Sequence, residues 1–78
     1  MTFSTNLYEA SKNSELEVIS VPNIALLKSL GLRSGSKVEL KTRYSLGGPV
    51  LLSVEGAYSV AIGKDIATQI AVKEIAAS

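Results

Sequence analysis

Short segments with a strict period of two constrain this chain more than any other feature of its sequence. In the first of them, residues 15–20, Leu16 and Val18 alternate with Glu15 and Glu17, as in a strand with one buried face. The same alternation recurs in residues 36–43, 50–55, 58–62 and 69–75. Short strands separated by turn residues at this spacing are typical of a small sandwich or barrel.

One segment follows a helical period instead. Pro22 suits the first turn of a helix, and Gly31 suits the position just past a helix end. Between them the sequence predicts a helix over residues 23–30. Its apolar face is predicted to comprise Ile24, Leu26, Leu27 and Leu30. A single helical turn is predicted over residues 66–68, whereas the first dozen residues are polar and mixed and show no periodic segment.

These elements predict a mainly β fold and one domain spanning residues 1–78. The architecture that fits them is a small five-stranded SH3-like barrel with one short helix and a helical turn. A composition of 46% hydrophobic residues is consistent with a packed aliphatic core. The main rival is an OB-like barrel, which would place its helix between the third and fourth strands. There this chain has only Gly56-Ala57.

The residue types that carry most enzyme and metal chemistry are missing. The chain contains no histidine and no cysteine, so the usual general base and the soft metal ligands are both absent. Glu15 and Glu17 share a strand face and could bind a hard cation, but solvated carboxylates explain them better. Gly47-Gly48 leads through Pro49 into a strand, unlike a phosphate-binding loop. The sequence therefore predicts no catalytic residue, no metal ligand, no cofactor and no enzyme activity.

Charge and hydropathy bear on partners and location. Eight Lys and Arg against seven Asp and Glu give a net charge of +1, which disfavours nucleic acid as a partner. The N-terminus lacks the basic and apolar regions of a signal peptide, and no apolar run approaches the roughly 20 residues of a membrane helix. We expect a cytoplasmic protein that is not embedded in a membrane.

A candidate partner-binding surface is predicted around the turn between the second and third alternating segments. The alternation places a row of basic residues on the outer face of one strand. Apolar residues are exposed around the glycine turn that follows, and one more points outward from the next strand. A competing interpretation of this turn is that Leu46 closes one end of the barrel. The candidate residues are Lys37, Lys41, Arg43, Tyr44, Leu46, Gly47, Gly48, Pro49 and Leu51.

Three motifs resemble the FeoA family over about residues 7–75. The first, Leu27-x-x-Leu30-Gly31-Leu32-x-x-Gly35-x-x-Val38-x-Leu40, resembles that family's helix end, glycine turn and strand. The second, Leu46-Gly47-Gly48-Pro49-Val50, resembles its leucine, glycine and proline turn. The third, Val60-Ala61-Ile62-Gly63-Lys64-Asp65-Ile66-Ala67-x-x-Ile70-x-Val72, resembles its closing segment. Ser34 and Tyr44-Ser45 depart from prolines that are frequent in the family.

This resemblance implies an SH3-like accessory protein of bacterial ferrous iron uptake. The implied partner is the FeoB membrane transporter, contacted through its cytosolic GTPase region, and transition-metal binding is implied only at the level of the family. No DNA-binding helical region precedes the domain in this sequence, so a free-standing protein is expected. The alternative is a regulatory barrel that binds nucleic acid or another regulator. Weak homo-oligomerisation through sheet edges is left open.

Overall fold

The computed structural model describes residues 4–44 and 46–75, which form one antiparallel sheet with two short helices. The strand order is β1-β6-β2-β3-β4-β5. The strands are β1 (Ser4–Asn6), β2 (Glu15–Ser20), β3 (Lys37–Arg43), β4 (Val50–Val54), β5 (Tyr58–Ile62) and β6 (Ala71–Glu74), and the helices are α1 (Ala25–Ser29) and α2 (Lys64–Ala67). The mainly β prediction is confirmed. Within residues 4–44 and 46–75 the sheet has six strands rather than five, and it is open, since β1 and β5 are its two edges and do not pair with each other.

One face of the sheet carries the core. The apolar residues of the alternating segments lie on this face, and Leu16, Val18, Leu40, Leu52 and Val72 are all fully buried. Leu27 and Leu32 cover one side of this core, and Ile70 precedes the last strand with no exposed surface. The period of two therefore predicted the inner face of the sheet correctly, except in β3 beyond Leu40.

The N-terminal segment, which the sequence indicated to be polar and without periodic structure, contains a strand and a helical turn. β1 pairs with β6, and a 3₁₀ turn (Leu7–Glu9) follows it directly. The Asn6 side chain accepts a hydrogen bond from the Glu9 N–H at 2.9 Å and so begins this turn. Leu7 and Ala10 point into the core. A three-residue strand and a single turn are too short to show periodicity, which is why the pattern missed them.

Helix α1 is shorter than the predicted 23–30, and Gly31 lies just past its end, where the sequence predicted the cap. The Leu32 N–H donates to the Leu27 carbonyl at 2.9 Å, and the Gly31 N–H donates to the Lys28 carbonyl at 3.0 Å. Together with a φ of +81° at Gly31, these two bonds form a Schellman motif. Leu26 was predicted on the apolar face, but its side chain is 55% exposed, because a helix this short turns only one residue, Leu27, fully inward.

A bulge in β3 reverses the predicted direction of Arg43. Leu40 pairs with Leu52, but Thr42 pairs with Leu51, so that one residue of β3 is unmatched. Beyond this bulge Arg43 pairs with Val50, which is buried on the inner face. The alternation that placed Arg43 outward beside Lys41 is therefore wrong, because each unmatched residue shifts the following side chains to the other face.

Candidate partner-binding site

The loop between β3 and β4 presents apolar side chains at one end of the sheet. The Tyr44 N–H donates to the Pro49 carbonyl at 3.1 Å and closes the base of the loop. Leu46 and Gly47 follow each other with φ values of +60° and +76°. Two successive residues with positive φ are typical of the turns that reverse a β-hairpin, where glycine and asparagine are favoured. A leucine at such a position is unusual.

Leu46 projects fully into solvent. Its relative exposure is 103%, and Tyr44 beside it is 49% exposed. The interpretation that Leu46 closes one end of the barrel is therefore wrong. Pro49 is also exposed, and Gly48 is half-buried. We call residues 44 and 46–49 the apolar loop.

Arg43 connects the N-terminal segment to the end of β3, next to this loop. Its Nε donates to the Tyr8 carbonyl at 2.6 Å, and its Nη2 donates to the Ala10 carbonyl. The guanidinium carbon lies 5.8 Å from the centroid of the Tyr8 ring. Because both hydrogen bonds join residues more than 30 positions apart, Arg43 couples the loop end of β3 to the 3₁₀ turn.

A second cation approaches the same aromatic ring. The Lys64 Nζ lies 5.2 Å from the centroid of the Tyr8 ring, at a distance typical of a cation–π interaction. A Cβ placed on Gly47 would lie 3.8 Å from the Lys64 Cδ, so the Lys64 stem runs beside the apolar loop. The apolar loop is thus bordered by two positive charges, those of Arg43 and Lys64.

Two further candidate residues lie on the outer face of β3, among carboxylates. Lys41 is exposed and forms an ion pair with Glu39 at 3.2 Å. Lys37 borders an open depression that also contains Glu15, Glu39 and Glu55, and its backbone N–H donates to the Glu55 carboxylate at 2.9 Å. The predicted basic row is therefore a face of mixed charge.

Leu51 connects the loop to the outer face of the sheet. It pairs with Thr42 on β3 and with Ala61 on β5, and its side chain is half-buried between them. The structure thus brings Arg43, Tyr44 and the turn residues together, places Leu51 at their margin, and separates Lys37 from them along β3.

Sequence reasoning missed Tyr8 and Lys64 as neighbours of the loop. Tyr8 lies in the segment that showed no periodicity, although Asn6 followed three residues later by Glu9 is a capping pattern that could have revealed the turn. In the sequence, Lys64 stands out only as part of the closing motif. Its position beside Gly47 depends on a contact between segments that are distant in sequence.

The part of the chain that the structure describes shows no cluster of three or more carboxylates placed to bind a metal ion. No helix among these residues is long and apolar enough to cross a membrane.

Comparisons with known proteins agree with the fold. The family model described as the FeoA domain matches residues 5–74. A crystal structure of an iron uptake regulatory protein (FeoA) has a TM-score of 0.82 at 27% identity, covering 94% of this chain and 99% of that one. A solution structure of the FeoA protein from Chlorobium tepidum has a TM-score of 0.81 at 27% identity, covering 95% of this chain and 73% of that one. No curated protein sequence matches significantly.

The same fold occurs in larger regulators. A manganese-dependent transcriptional repressor has a TM-score of 0.82, but at 16% identity, and the match covers 96% of this chain and only 44% of the repressor. At this identity the likeness is one of fold.

Proposed function

We propose a function from the premise that this chain belongs to the FeoA domain family. It acts in ferrous iron uptake as a small cytoplasmic accessory protein without enzyme activity. It does so by binding the cytosolic GTPase region of a FeoB-type transporter. The observation that carries the proposal is Leu46, which is fully exposed at the tip of the apolar loop in a backbone conformation unfavourable for leucine.

The apolar loop has the properties of a protein-binding surface. Leu46, Tyr44 and Pro49 are exposed together, and exposed apolar residues that cluster on one loop mark interaction sites more often than scattered ones. Tyrosine is enriched in the well-packed centres of interfaces. We place the centre of the interface at Leu46 and Tyr44.

Positive charge beside the loop adds a preference for an acidic partner surface. Lys64 lies against Tyr8 and Gly47 and supplies this charge, whereas Lys41 on the adjoining outer face of β3 is paired with Glu39. Charges at the rim of an interface mainly affect the association rate and the orientation of the partner. Arg43, whose guanidinium is bonded to two carbonyls, contributes mainly by holding the loop in place.

The absence of histidine and cysteine from the sequence limits the means by which such a protein can act on iron. A high-affinity ferrous site usually includes imidazole or thiolate ligands. We therefore propose that the chain affects transport through protein contact rather than by carrying the ion.

A titration of the isotope-labelled protein with the isolated cytosolic GTPase region tests this proposal. It is followed by NMR in the absence of nucleotide, with a guanosine diphosphate and with a non-hydrolysable triphosphate analogue. We expect saturable shifts centred on Tyr44, Leu46 and Lys64. The substitution Leu46→Asp should weaken binding by roughly tenfold or more, as for an apolar residue at the centre of an interface.

Leu26 provides the matched control, because it is an exposed leucine on α1 rather than on the loop. Leu26→Asp should leave the dissociation constant unchanged. Absence of binding at high micromolar concentration by the folded protein would contradict the proposal, and so would equal effects of the two substitutions. A salt-dependent shift of a DNA probe, lost on replacement of Lys37 and Lys41, would favour the regulatory alternative instead.

A further inference from the structure

Strand β5 lies at an edge of the sheet and lacks the features that protect exposed edges. Among the described residues its only strand partner is β4, and the register between them contains no bulge. The sequence Tyr58-Ser59-Val60-Ala61-Ile62 contains no charge, proline or glycine. Natural edge strands usually carry lysine, proline or bulges, or are very short. The opposite edge, β1, has only three residues, so β5 is the longer of the two edges that the described residues form.

The register identifies which backbone groups of β5 are free. The Glu55 N–H donates to the Lys37 carbonyl at 2.8 Å, so the odd-numbered residues at this end of β4 bond to β3. Val54 and the other even-numbered residues of β4 therefore bond to the even-numbered residues of β5. Ser59 and Ala61 consequently direct their N–H and C=O groups outward. Both residues are exposed, and no turn, loop or side chain of the described part bonds to these groups.

We propose that β5 is the interface of a homodimer in which two copies join their β5 strands antiparallel about a two-fold axis at Val60. In this register Ser59 of each copy exchanges both backbone hydrogen bonds with Ala61 of the other. Val60 faces Val60, and Tyr58 faces Ile62 of the second copy. The two six-stranded sheets then form one continuous sheet.

Self-pairing is favoured over pairing with an unrelated strand because β5 can lie antiparallel to the β5 of a second copy without an unfavourable cross-strand pair. Residues 56–63 carry no charge, so no like charges meet across the axis within the paired strands. β-branched residues that face each other are favourable cross-strand neighbours, as Val60 and Val60 do at the axis; Tyr58 stays 45% exposed beside them, with its hydroxyl donating to the Leu30 carbonyl. The interface uses no residue of the apolar loop, so this proposal stands independently of the transporter contact.

A single introduced cysteine tests the register directly, because the chain contains none of its own. Val60 would face its own copy in a non-hydrogen-bonded pair, where Cα atoms are about 4.5 Å apart and a disulfide can form. Val60→Cys should therefore form a covalent dimer under mild oxidation. Ser59→Cys is the control: its side chain faces Ala61 of the second copy, so we expect it to cross-link roughly tenfold more slowly.

Sedimentation equilibrium of the unmodified chain provides the second test. Over about 10 μM to 1 mM we expect a reversible monomer–dimer equilibrium, as for a small interface. Ala61→Pro removes an outward N–H, a change that edge strands tolerate, and should shift the protein to monomer while its circular dichroism spectrum is retained. Should that variant unfold, Ala61→Lys at the same exposed position replaces it, because it brings like charges together near the axis, and Thr5→Lys on β1 is the control for added charge.

Three results would overturn the proposal. They are a monomer at every concentration, equal cross-linking of V60C and S59C, and a dimer that A61P or A61K leaves intact. An added β-strand peptide that binds β5 while the chain alone stays monomeric would assign the edge to a foreign partner.

Discussion

Leu46 occupies a backbone conformation that costs a non-glycine residue roughly 1–2 kcal/mol, and its side chain gains no burial in return. Asparagine tolerates this conformation better. We therefore expect Leu46→Asn to raise the free energy of unfolding by about 0.5–1 kcal/mol in chemical denaturation while it weakens transporter binding. Leu46→Ala removes the side chain but keeps the backbone cost, so it should weaken binding without a comparable gain in stability.

A loss of stability in Leu46→Asn would show that this leucine serves the fold rather than a partner. The sequence predicted an apolar loop here, yet it left open whether Leu46 packs inward or projects outward. Local composition does not decide that question, because it depends on a positive φ at the leucine itself. The same holds for Arg43, whose direction depends on one unmatched residue in β3.

The C-terminal end of α1 is held by a glycine that also lies against β5. Gly31 has a φ of +81°, and the Tyr58 hydroxyl, which donates to the Leu30 carbonyl, occupies the space that a Cβ would need. Gly31→Ala should therefore cost about 2–3 kcal/mol of unfolding free energy, from backbone strain and the displaced tyrosine hydrogen bond. Urea denaturation monitored by tyrosine fluorescence or circular dichroism measures this cost.

A substitution at Gly35 measures the backbone strain separately from the loss of the tyrosine hydrogen bond. The φ of Gly35 is +95°, but no atom lies within 4 Å of a Cβ built there, so Gly35→Ala introduces backbone strain alone. We expect it to cost about 1 kcal/mol less than Gly31→Ala, since no hydrogen bond is displaced. In a Tyr58→Phe background the two costs should converge. A Gly31→Ala penalty that is unchanged in that background would mean that the hydroxyl contact is unimportant.

Elements in which the periodic pattern repeats were predictable from the sequence. Elements fixed by individual contacts with distant segments were not. The strands β2 and β5 begin and end at the predicted residues, because each repeats its alternation at least twice. β1 and the 3₁₀ turn are specified by β6, by the Asn6 cap and by Arg43. Such long-range pairing leaves no periodic trace in the segment itself.

At the scale of the whole molecule, the N-terminal segment is part of the hydrophobic core. β1 pairs with β6, the Leu7 N–H donates to the Ile70 carbonyl at 2.8 Å, and the Leu7 side chain is fully buried. A domain of this size has a total stability of roughly 4–12 kcal/mol. Because truncating a buried leucine costs about 2–5 kcal/mol, Leu7→Ala should remove a large share of that total.

Thermal and urea denaturation of Leu7→Ala should show this loss, and Leu26→Ala is the control because its leucine is half-exposed on α1. We expect Leu26→Ala to change the unfolding free energy by less than about 1 kcal/mol. Hydrogen exchange distinguishes two ways in which the molecule could respond. If β1 belongs to the cooperative core, Leu7→Ala accelerates exchange throughout the sheet, including β3 and β4. Faster exchange confined to residues 5–10 would instead show that the N-terminal segment opens independently and that five strands suffice for the fold.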